Sequence, residues 1–465
     1  MKRDAHVPDG TALPDGTKID DLVRKQTQEV MLRVYDDQDL HDLEMQKIFA
    51  RSWLLLGHES EIPNPGDFVT RHMGSDPVVV ARNTEGVIHV SLNVCTHRGM
   101  RVALPAAGNT RMFRCIYHGW TYRLDGQFTG APVAGEQMHG TILETSQLGL
   151  RQARVTLYAG FIFATWNING PSLDEFLGDI KFYLDTIFAR SDRGIEVCGP
   201  PQRFIIDANW KIASEQFACD GYHVLSLHQS TRELGLRGRP ETLDPRTLAG
   251  LYAVEVAANG HSLRCVNAAQ YYERAAAPVD DPDPMVQLSI LPPVGFTPEM
   301  VPQLPKHLSR GQLQLLAKSA PSIGSIFPNS ALICIYRPKL GGFLTPMMCI
   351  HTFVPLGRGR FEFINWFLAE REASPEMKAE MVRAGILFMG TTGMVESDDA
   401  ETWPHIQANA AGAMSRQQTV KYQALAGENK PVDWPGGGAV YAGFSKDDTQ
   451  WRWWNRWSDV MKDEA

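Results

Sequence analysis

Four residues stand out for the chemistry that their types and spacing permit. Cys95-Thr96-His97 is followed, after seventeen residues, by Cys115-Ile116-Tyr117-His118. One Cys and one His in each of two short segments is the ligand set of a [2Fe–2S] centre in which two histidines replace two cysteines on one iron. Neutral imidazoles add less negative charge than thiolates. Such a centre takes up an electron at roughly −150 to +300 mV, against about −400 mV for an all-cysteine plant-type cluster. A chain that carries it handles electrons one at a time. A structural zinc ion also takes two Cys and two His. Each half here mixes the two residue types, whereas a zinc finger pairs Cys with Cys and His with His.

An electron donor needs an acceptor, and the other His-rich cluster lies in the segment from Asn209 to His228, which holds Asp220, His223 and His228. Two neutral imidazoles and one carboxylate hold Fe(II) on one face of an octahedron and leave positions open for O2. Asp220 and His223, three apart, share a helix face. His228 is five further on, about 140° around an ideal helix. The helix must therefore end or bulge between the histidines, and Gly221 is placed to help. The acid of the triad is open between Asp220 and the Glu396-Ser397-Asp398-Asp399 stretch before Trp403. A carboxylate that only orients a ligating His explains Asp220 equally well, and adjacent aspartates also suit a solvated helix N-terminus.

The elements that must position these residues differ along the chain. Residues 1–44 are polar, and about 20–50 read as helical. From about Trp53 to Trp166, short apolar runs such as Pro77–Arg82 and Gly160–Trp166 alternate with turn signals, which predicts a small all-β domain with the Cys/His loops at one end. Ser172-Leu173-Asp174-Glu175 is a capping box opening a helix to about Arg190. A strand at Arg203–Asp207 precedes a helix from about Trp210. Phe343–Leu356 and Arg360–Phe367 form a hairpin, and Ser374-Pro375-Glu376 opens another helix with Pro at its first position. Gly436-Gly437-Gly438 reads as a flexible turn, and the Trp-rich tail from Trp451 is expected to pack somewhere on the protein.

Composition is that of a globular protein of two or three domains. The net charge of −8 argues against a nucleic-acid or anionic-membrane partner. No signal peptide or membrane span is expected, and scattered cysteines outside the loops suit free thiols in a reducing cytoplasm. There is no strand-then-GxGxxG and no GxxxxGK[ST] signature. Neither NAD nor FAD is expected on the chain, so electrons must arrive from another protein.

The stretches Cys95-Thr-His-Arg-Gly99 and Cys115-Ile-Tyr-His-Gly-Trp-Thr-Tyr122, the Asn209-Trp-Lys helix and the late Glu-x-Asp-Asp-x-x-x-Trp403 motif occur in that order over nearly the whole chain. Together they resemble the large (α) subunit of Rieske non-haem iron aromatic-ring-hydroxylating dioxygenases of the naphthalene, biphenyl or polycyclic-hydrocarbon type. The resemblance implies an α+β chain: an N-terminal segment (1–44) packing with the catalytic domain, an all-β Rieske domain (45–166), and a catalytic domain (167–465) with an antiparallel, helix-grip-like sheet flanked by helices. It implies that Cys95, His97, Cys115 and His118 hold the cluster. His223, His228 and Asp399 would hold the mononuclear iron, with Asp398 as the fallback. Asp220 would bridge His223 to the cluster ligand His118 of the partner subunit and carry the electron across. A homotrimer follows, with a small β subunit making an α3β3 hexamer, and a ferredoxin and NADH-dependent reductase upstream.

The implied reaction adds both atoms of O2 to an arene to give a cis-dihydrodiol, in the catabolism of aromatic hydrocarbons. Phe217 and Val224 are candidate substrate contacts beside the histidines, while Leu225 and Leu227 serve equally as helix core. No Lys or Arg lies between Glu215 and His228, which disfavours an aromatic carboxylate such as phthalate or salicylate, although Arg232, Arg237 or Arg264 could reach in from a loop. Many family members carry Asn where this chain has Gln216, which leaves its approach to the metal open. A monooxygenase or demethylase would use the same metals, and a pure Rieske electron carrier would need only the first motif.

Overall fold

The computed structural model describes residues 12–132, 144–233, 253–268, 281–338, 344–444 and 446–463. The chain divides into two compact units, one of Phe49–Leu173 and one of Met1–Ile48 with Asp174–Ala465.

The first unit is all β. A four-stranded antiparallel sheet runs in the order Ile88–Leu92, Asp76–Arg82, Asp67–Met73, Ala107–Asn109. A three-stranded sheet joins Arg154–Tyr158, Phe161–Thr165 and Leu54–His58, and a ribbon joins Phe128–Gly130, Thr121–Tyr122 and Phe113–Arg114. The β-branched run Val78-Val79-Val80 is buried throughout, as a strand packed on both faces requires. Phe68, Val79, Val102, Phe113, Trp120 and Tyr122 form a core that includes Cys95 and Cys115.

The second unit is built on a nine-stranded antiparallel sheet. Its strands are β1 (Ile195–Val197), β2 (Gln202–Ile206), β3 (Ala253–Ala258), β4 (His261–Asn267), β5 (Ser319–Ile326), β6 (Ser330–Pro338), β7 (Leu344–Gly357), β8 (Arg360–Glu370) and β9 (Ala439–Ala442). The order is β1-β8-β7-β6-β5-β4-β3-β9, with β2 also pairing with β8. Register places Glu255, Arg264, Ile323, Ile333 and Cys349 opposite one another across β3 to β7. With a side-chain period of two, these five share a face.

The helices that matter for the site are α1 (Trp210–Gln216), α2 (His223–Ser226), α3 (Pro375–Met389), α4 (Glu396–Ala411) and α5 (Asp448–Met461). Asn209 caps α1 by accepting from Lys211 N–H, and Ser374 caps α3 by accepting from Met377 N–H. The tail helix α5 buries Trp451, Trp453, Trp454 and Trp457. Trp453 meets Trp210 of α1 edge-on at 5.8 Å. Glu44 joins these parts: it pairs with Lys211 Nζ at 2.7 Å and accepts from Trp210 and Trp457 indoles at 3.1 and 3.0 Å. The N-terminal segment is thereby tied to α1 and α5.

Three local expectations need correction. Residues 20–50 are not one helix: a short α-helix spans Ile19–Leu22, Val23–Arg24 and Glu29–Met31 are strands, the latter pairing with Thr419–Lys421, and a second α-helix spans Gln38–Glu44. The helix expected from Ser172 to Arg190 is two segments, Leu173–Leu177 and Ile180–Phe188, broken where Gly178 takes a positive φ of 53°. Gly436-Gly437-Gly438 is packed rather than loose. A Cβ on Gly437 would sit 2.6 Å from the Asp179 carboxyl carbon, and Gly438 N–H donates to Asp179.

Candidate metal centres

The two Cys/His loops are built alike. In the first, Cys95 N–H donates to Met100 and Gly99 N–H to Cys95; in the second, Cys115 N–H donates to Trp120 and Gly119 N–H to Cys115. Gly99 and Gly119 take φ of +76° and +72°, a left-handed conformation that costs glycine little. Both cysteines are buried, and His97 and His118 are half-buried. The two imidazoles lie 4.5 Å apart, with His97 stacked on Trp120 at 4.8 Å. Tyr122 O–H lies 3.1 Å from Cys95 Sγ, and burial pushes that phenol well up. It stays a donor, and a cluster-bound thiolate would accept from it.

A single tetrahedral ion would draw its ligand atoms to within about 4 Å of each other. Among the described residues, the set with ligand atoms mutually within 4.8 Å is His223, His228 and Asp399, not the four loop residues. The loops are spaced for a wider group, and a [2Fe–2S] cluster fits their donor set.

The second centre gathers residues from α2, the turn after it, and the first turn of α4. Helix α1 stops at Gln216, before both histidines, and α2, which carries His223, ends at Ser226, between the two histidines as expected. Cys219 takes a φ of +72°, and a Cβ on Gly221 would run into the Phe444 carbonyl. Asp220 Oδ1 accepts from Tyr222 N–H at 2.8 Å. The chain restarts as α2 with His223 at its head, and His228 follows one turn later.

The orientation of each imidazole separates inner from outer acids. His223 and His228 turn Nε2 toward Asp399 Oδ1, at 3.7 and 3.6 Å. Ligand atoms each about 2.1 Å from one ion are about 3.0 to 3.6 Å apart, so the three fit a shared metal after a small inward shift. The other ring nitrogens face second carboxylates. His228 Nδ1 lies 3.0 Å from Asp398 Oδ2, and His223 Nδ1 lies 3.1 Å from Asp220 Oδ2. The latter contact is oblique and not a formed hydrogen bond. A carboxylate on the far nitrogen fixes the tautomer and makes the ligand more basic. Asp398 therefore occupies the outer position and Asp399 the inner one.

Electrostatics follow the same division. Burial lifts the Asp399 carboxyl to about 6, with His223 and Gln216 pulling the other way. Burial also opposes ionisation of Asp220, but His223 and two backbone N–H groups hold it below the ordinary range. Glu396 is buried without a hydrogen-bond partner for either oxygen, and burial pushes its carboxyl well above the ordinary range. Gln216 spans two partners: Nε2 donates to Asp399 Oδ1 at 2.7 Å, and Oε1 accepts from the Trp403 indole at 2.7 Å. It steadies the inner acid, a role that its residue type alone left open.

A cleft of about 450 Å³, open solvent at its mouth included, reaches these ligands. Phe217 and Val224 line it, joined by Ile323 of β5, Ile333 of β6, Met389 of α3 and Val395 before α4. Two arginines also line it, Arg264 of β4 and Arg337 of β6. Arg264 enters from a strand, not a loop; Arg237 and the Arg232 and Leu225 side chains lie outside the described residues. Arg337 was not among the basic residues, Arg232, Arg237 and Arg264, that the sequence offered. The strict alternation along β6 was the signal: Ile333 and Arg337 line this cleft, while Cys334 and Tyr336 line a different one.

Residues 52–147 match the Rieske [2Fe-2S] domain family, and residues 173–429 match the ring hydroxylating alpha subunit (catalytic domain) family. The chain is 32% identical to a chlorobenzene dioxygenase subunit alpha from Cupriavidus sp., across 93% of this chain and 87% of that one. It is 31% identical to an N,N-dimethyl phenylurea N-demethylase subunit alpha from Sphingobium sp., across 97% of both. A crystal structure of naphthalene 1,2-dioxygenase from Rhodococcus sp. bound to indole superposes with a TM-score of 0.83 at 32% identity, covering 95% of this chain and 96% of that one. Two loops spaced for a Rieske cluster, a two-histidine, one-carboxylate pocket and these likenesses agree: the chain belongs to the Rieske non-haem iron ring-hydroxylating dioxygenase α subunits.

Proposed function

We propose that the chain is the terminal oxygenase that adds both atoms of O2 to one face of an aromatic ring of biaryl or polycyclic size, giving a cis-dihydrodiol. The observation that carries this reading is the convergence of His223, His228 and Asp399 at the floor of an apolar cleft. Iron held there supplies dioxygen activation, and the cluster held by Cys95, His97, Cys115 and His118 supplies electrons singly. The chain's own groups do the rest. Asp398 and Asp220 hold the imidazoles with Nε2 inward, and Gln216 holds Asp399. Phe217, Val224, Ile323 and Ile333 seat the ring and keep water from it.

In this reading Asp220 links His223 to His118 of the partner subunit, which makes a homotrimer the working unit and α3β3 its fuller form. A ferredoxin and an NADH-dependent reductase feed it. Among the described residues, no helix is long and apolar enough to cross a membrane; we place the protein in the cytoplasm.

One relative points to a second reading. Demethylation is what the Sphingobium protein is named for, at similar identity and fuller coverage. Turnover under ¹⁸O2 with a reconstituted electron chain separates the two. Two labelled oxygens in one dihydrodiol support dihydroxylation; one labelled atom, with loss of an N-methyl group, refutes it. A protein with only the two cluster irons per chain, rather than about three, would be an electron carrier.

A further inference from the structure

We propose that Thr449 and Gln450, at the head of the tail helix α5, are positioning residues for Asp220, and that they act by fixing the peptide group between Cys219 and Asp220. What Asp220 does there rests on the reading above, in which it carries the electron to His223; where it is held does not.

Asp220 has little hold of its own. Among the described residues, its carboxylate accepts only from the N–H groups of Tyr222 and His223, at 2.8 and 3.4 Å, beside the 3.1 Å approach to His223 Nδ1. Those partners are two and three residues away, so the carboxylate goes where its own backbone goes. That backbone has left the helix. α1 ends at Gln216, and Cys219 takes a φ of +72°, a conformation that costs a residue with a Cβ free energy and persists where its surroundings enforce it.

The enforcing contacts converge from α5. Gln450, 2% exposed, donates its amide to the Lys446 carbonyl at 3.1 Å and accepts from Asp220 N–H at 2.8 Å. Asp220 N–H also reaches the Gln216 carbonyl at 2.9 Å, a three-centre bond of the kind common at helix ends. Thr449, 1% exposed, acts through two further side chains. Its Oγ1 donates to Glu255 Oε2 at 3.0 Å. Glu255 Oε1 lies 3.2 and 3.3 Å from Arg264 Nη2 and Nε, and Arg264 Nη2 donates to the Cys219 carbonyl. That carbonyl and Asp220 N–H belong to one planar peptide group. Adjacent side chains leave a helix about 100° apart, so Thr449 and Gln450 can serve opposite ends of the same plane. Just before α5, Phe444 stacks on Arg264 at 4.3 Å, and its carbonyl leaves no room for a Cβ on Gly221. With the peptide plane set on both sides, the direction in which Asp220 leaves the backbone is set too.

The test uses Thr449→Val, Thr449→Ser and Gln450→Leu in the iron-loaded, cluster-containing protein. Thr449→Val and Gln450→Leu should each slow single-turnover oxidation of the reduced cluster by roughly 10-fold, the lower end of what loss of an outer-shell partner costs. Iron content and cluster potential should stay at the parent values. Thr449→Ser keeps the hydroxyl and should keep the parent rate; slowing in Thr449→Ser but not in Thr449→Val would make the contact one of packing and overturn the proposal. In an Asp220→Asn background the same changes should slow transfer no further, because residues that act through one group are not additive; a further slowing there also overturns it. A second readout needs no electron transfer. Near-infrared magnetic circular dichroism of the ferrous site should change in Thr449→Val and Gln450→Leu as Asp220 moves from His223 Nδ1. If Asp220→Asn leaves transfer fast, the electron-bridge reading fails and the dichroism decides: changed, α5 places Asp220; unchanged, it does not. If Asp220→Asn slows transfer while the α5 variants alter neither rate nor dichroism, the bridge stands and this inference falls.

Discussion

Replacing Gln216 with leucine tests how the inner acid of the iron site is held. The substitution keeps much of the side-chain volume but deletes the 2.7 Å hydrogen bond to Asp399 Oδ1. A hydrogen bond to a charged group is worth about 1.5–3 kcal/mol, or about 10- to 100-fold in an equilibrium constant. Loss of an outer-shell partner weakens metal affinity by the same range.

The pH dependence sharpens the test. Iron binds the ionised carboxylate, so it must displace any proton that Asp399 carries. Burial places that proton's pKa at about 6. For the unmodified protein, affinity should fall at least tenfold per unit below pH 6, since the imidazoles as well as Asp399 must shed a proton to bind. Gln216 is one of the groups that lowers this pKa, so its loss moves the break to higher pH. The gap between variant and parent should therefore widen toward pH 6 and narrow toward pH 8.

Anaerobic dialysis at fixed free Fe(II), with cluster absorbance as internal standard, gives the occupancy at each pH. Trp403 is fully buried and loses the partner of its indole N–H, so a lower Tm should accompany the change. An iron deficit equal at pH 6 and pH 8 would refute the electrostatic role and leave Gln216 as packing.

Four further outcomes are expected. Asp399→Ala should empty the mononuclear site while the Rieske EPR signal persists, and Asp398→Ala should only weaken iron binding, by about 10- to 100-fold; the opposite ranking in iron analysis reverses the inner and outer assignment. Asp220→Asn should retain both metals yet slow single-turnover electron transfer severely, and loss of iron instead would make Asp220 a ligand. Tyr122→Phe should lower the cluster potential by roughly 40–60 mV in a redox titration, because a hydrogen bond of about 1 kcal/mol to the Cys95 sulfur favours the reduced form; an unchanged potential removes that donor from the account. Lys211→Met should cost about 3–5 kcal/mol in denaturant unfolding, since it strands Glu44 as a buried charge; a loss under about 1 kcal/mol would show that Glu44 is held neutral.

What the sequence made legible was whatever depends on local spacing. The Cys/His loops close through hydrogen bonds five residues apart or less, and the α+β alternation follows runs a few residues long. Asp398 and Asp399 are different. They are adjacent in the chain and chemically identical, and only their directions at the head of α4 separate them. That direction comes from the packing of α4, where Trp403 is buried and meets Gln216 of a helix nearly two hundred residues earlier. No local pattern encodes it. The early strands failed for a related reason: Glu29–Met31 is a strand because Thr419–Lys421 lies beside it.

The cleft wall was hidden in another way. Its rear is a sheet face whose members, Arg264, Ile323 and Ile333, come from strands joined only by register. The helix offered no cation between Glu215 and His228, and of the three arginines that could reach in from elsewhere, Arg264 does so from a strand. Arg337 lines the cleft as well, on the same face of β6 as Ile333. It was not foreseen because its place depends on how β5, β6 and β7 pair, and not on any run of residues.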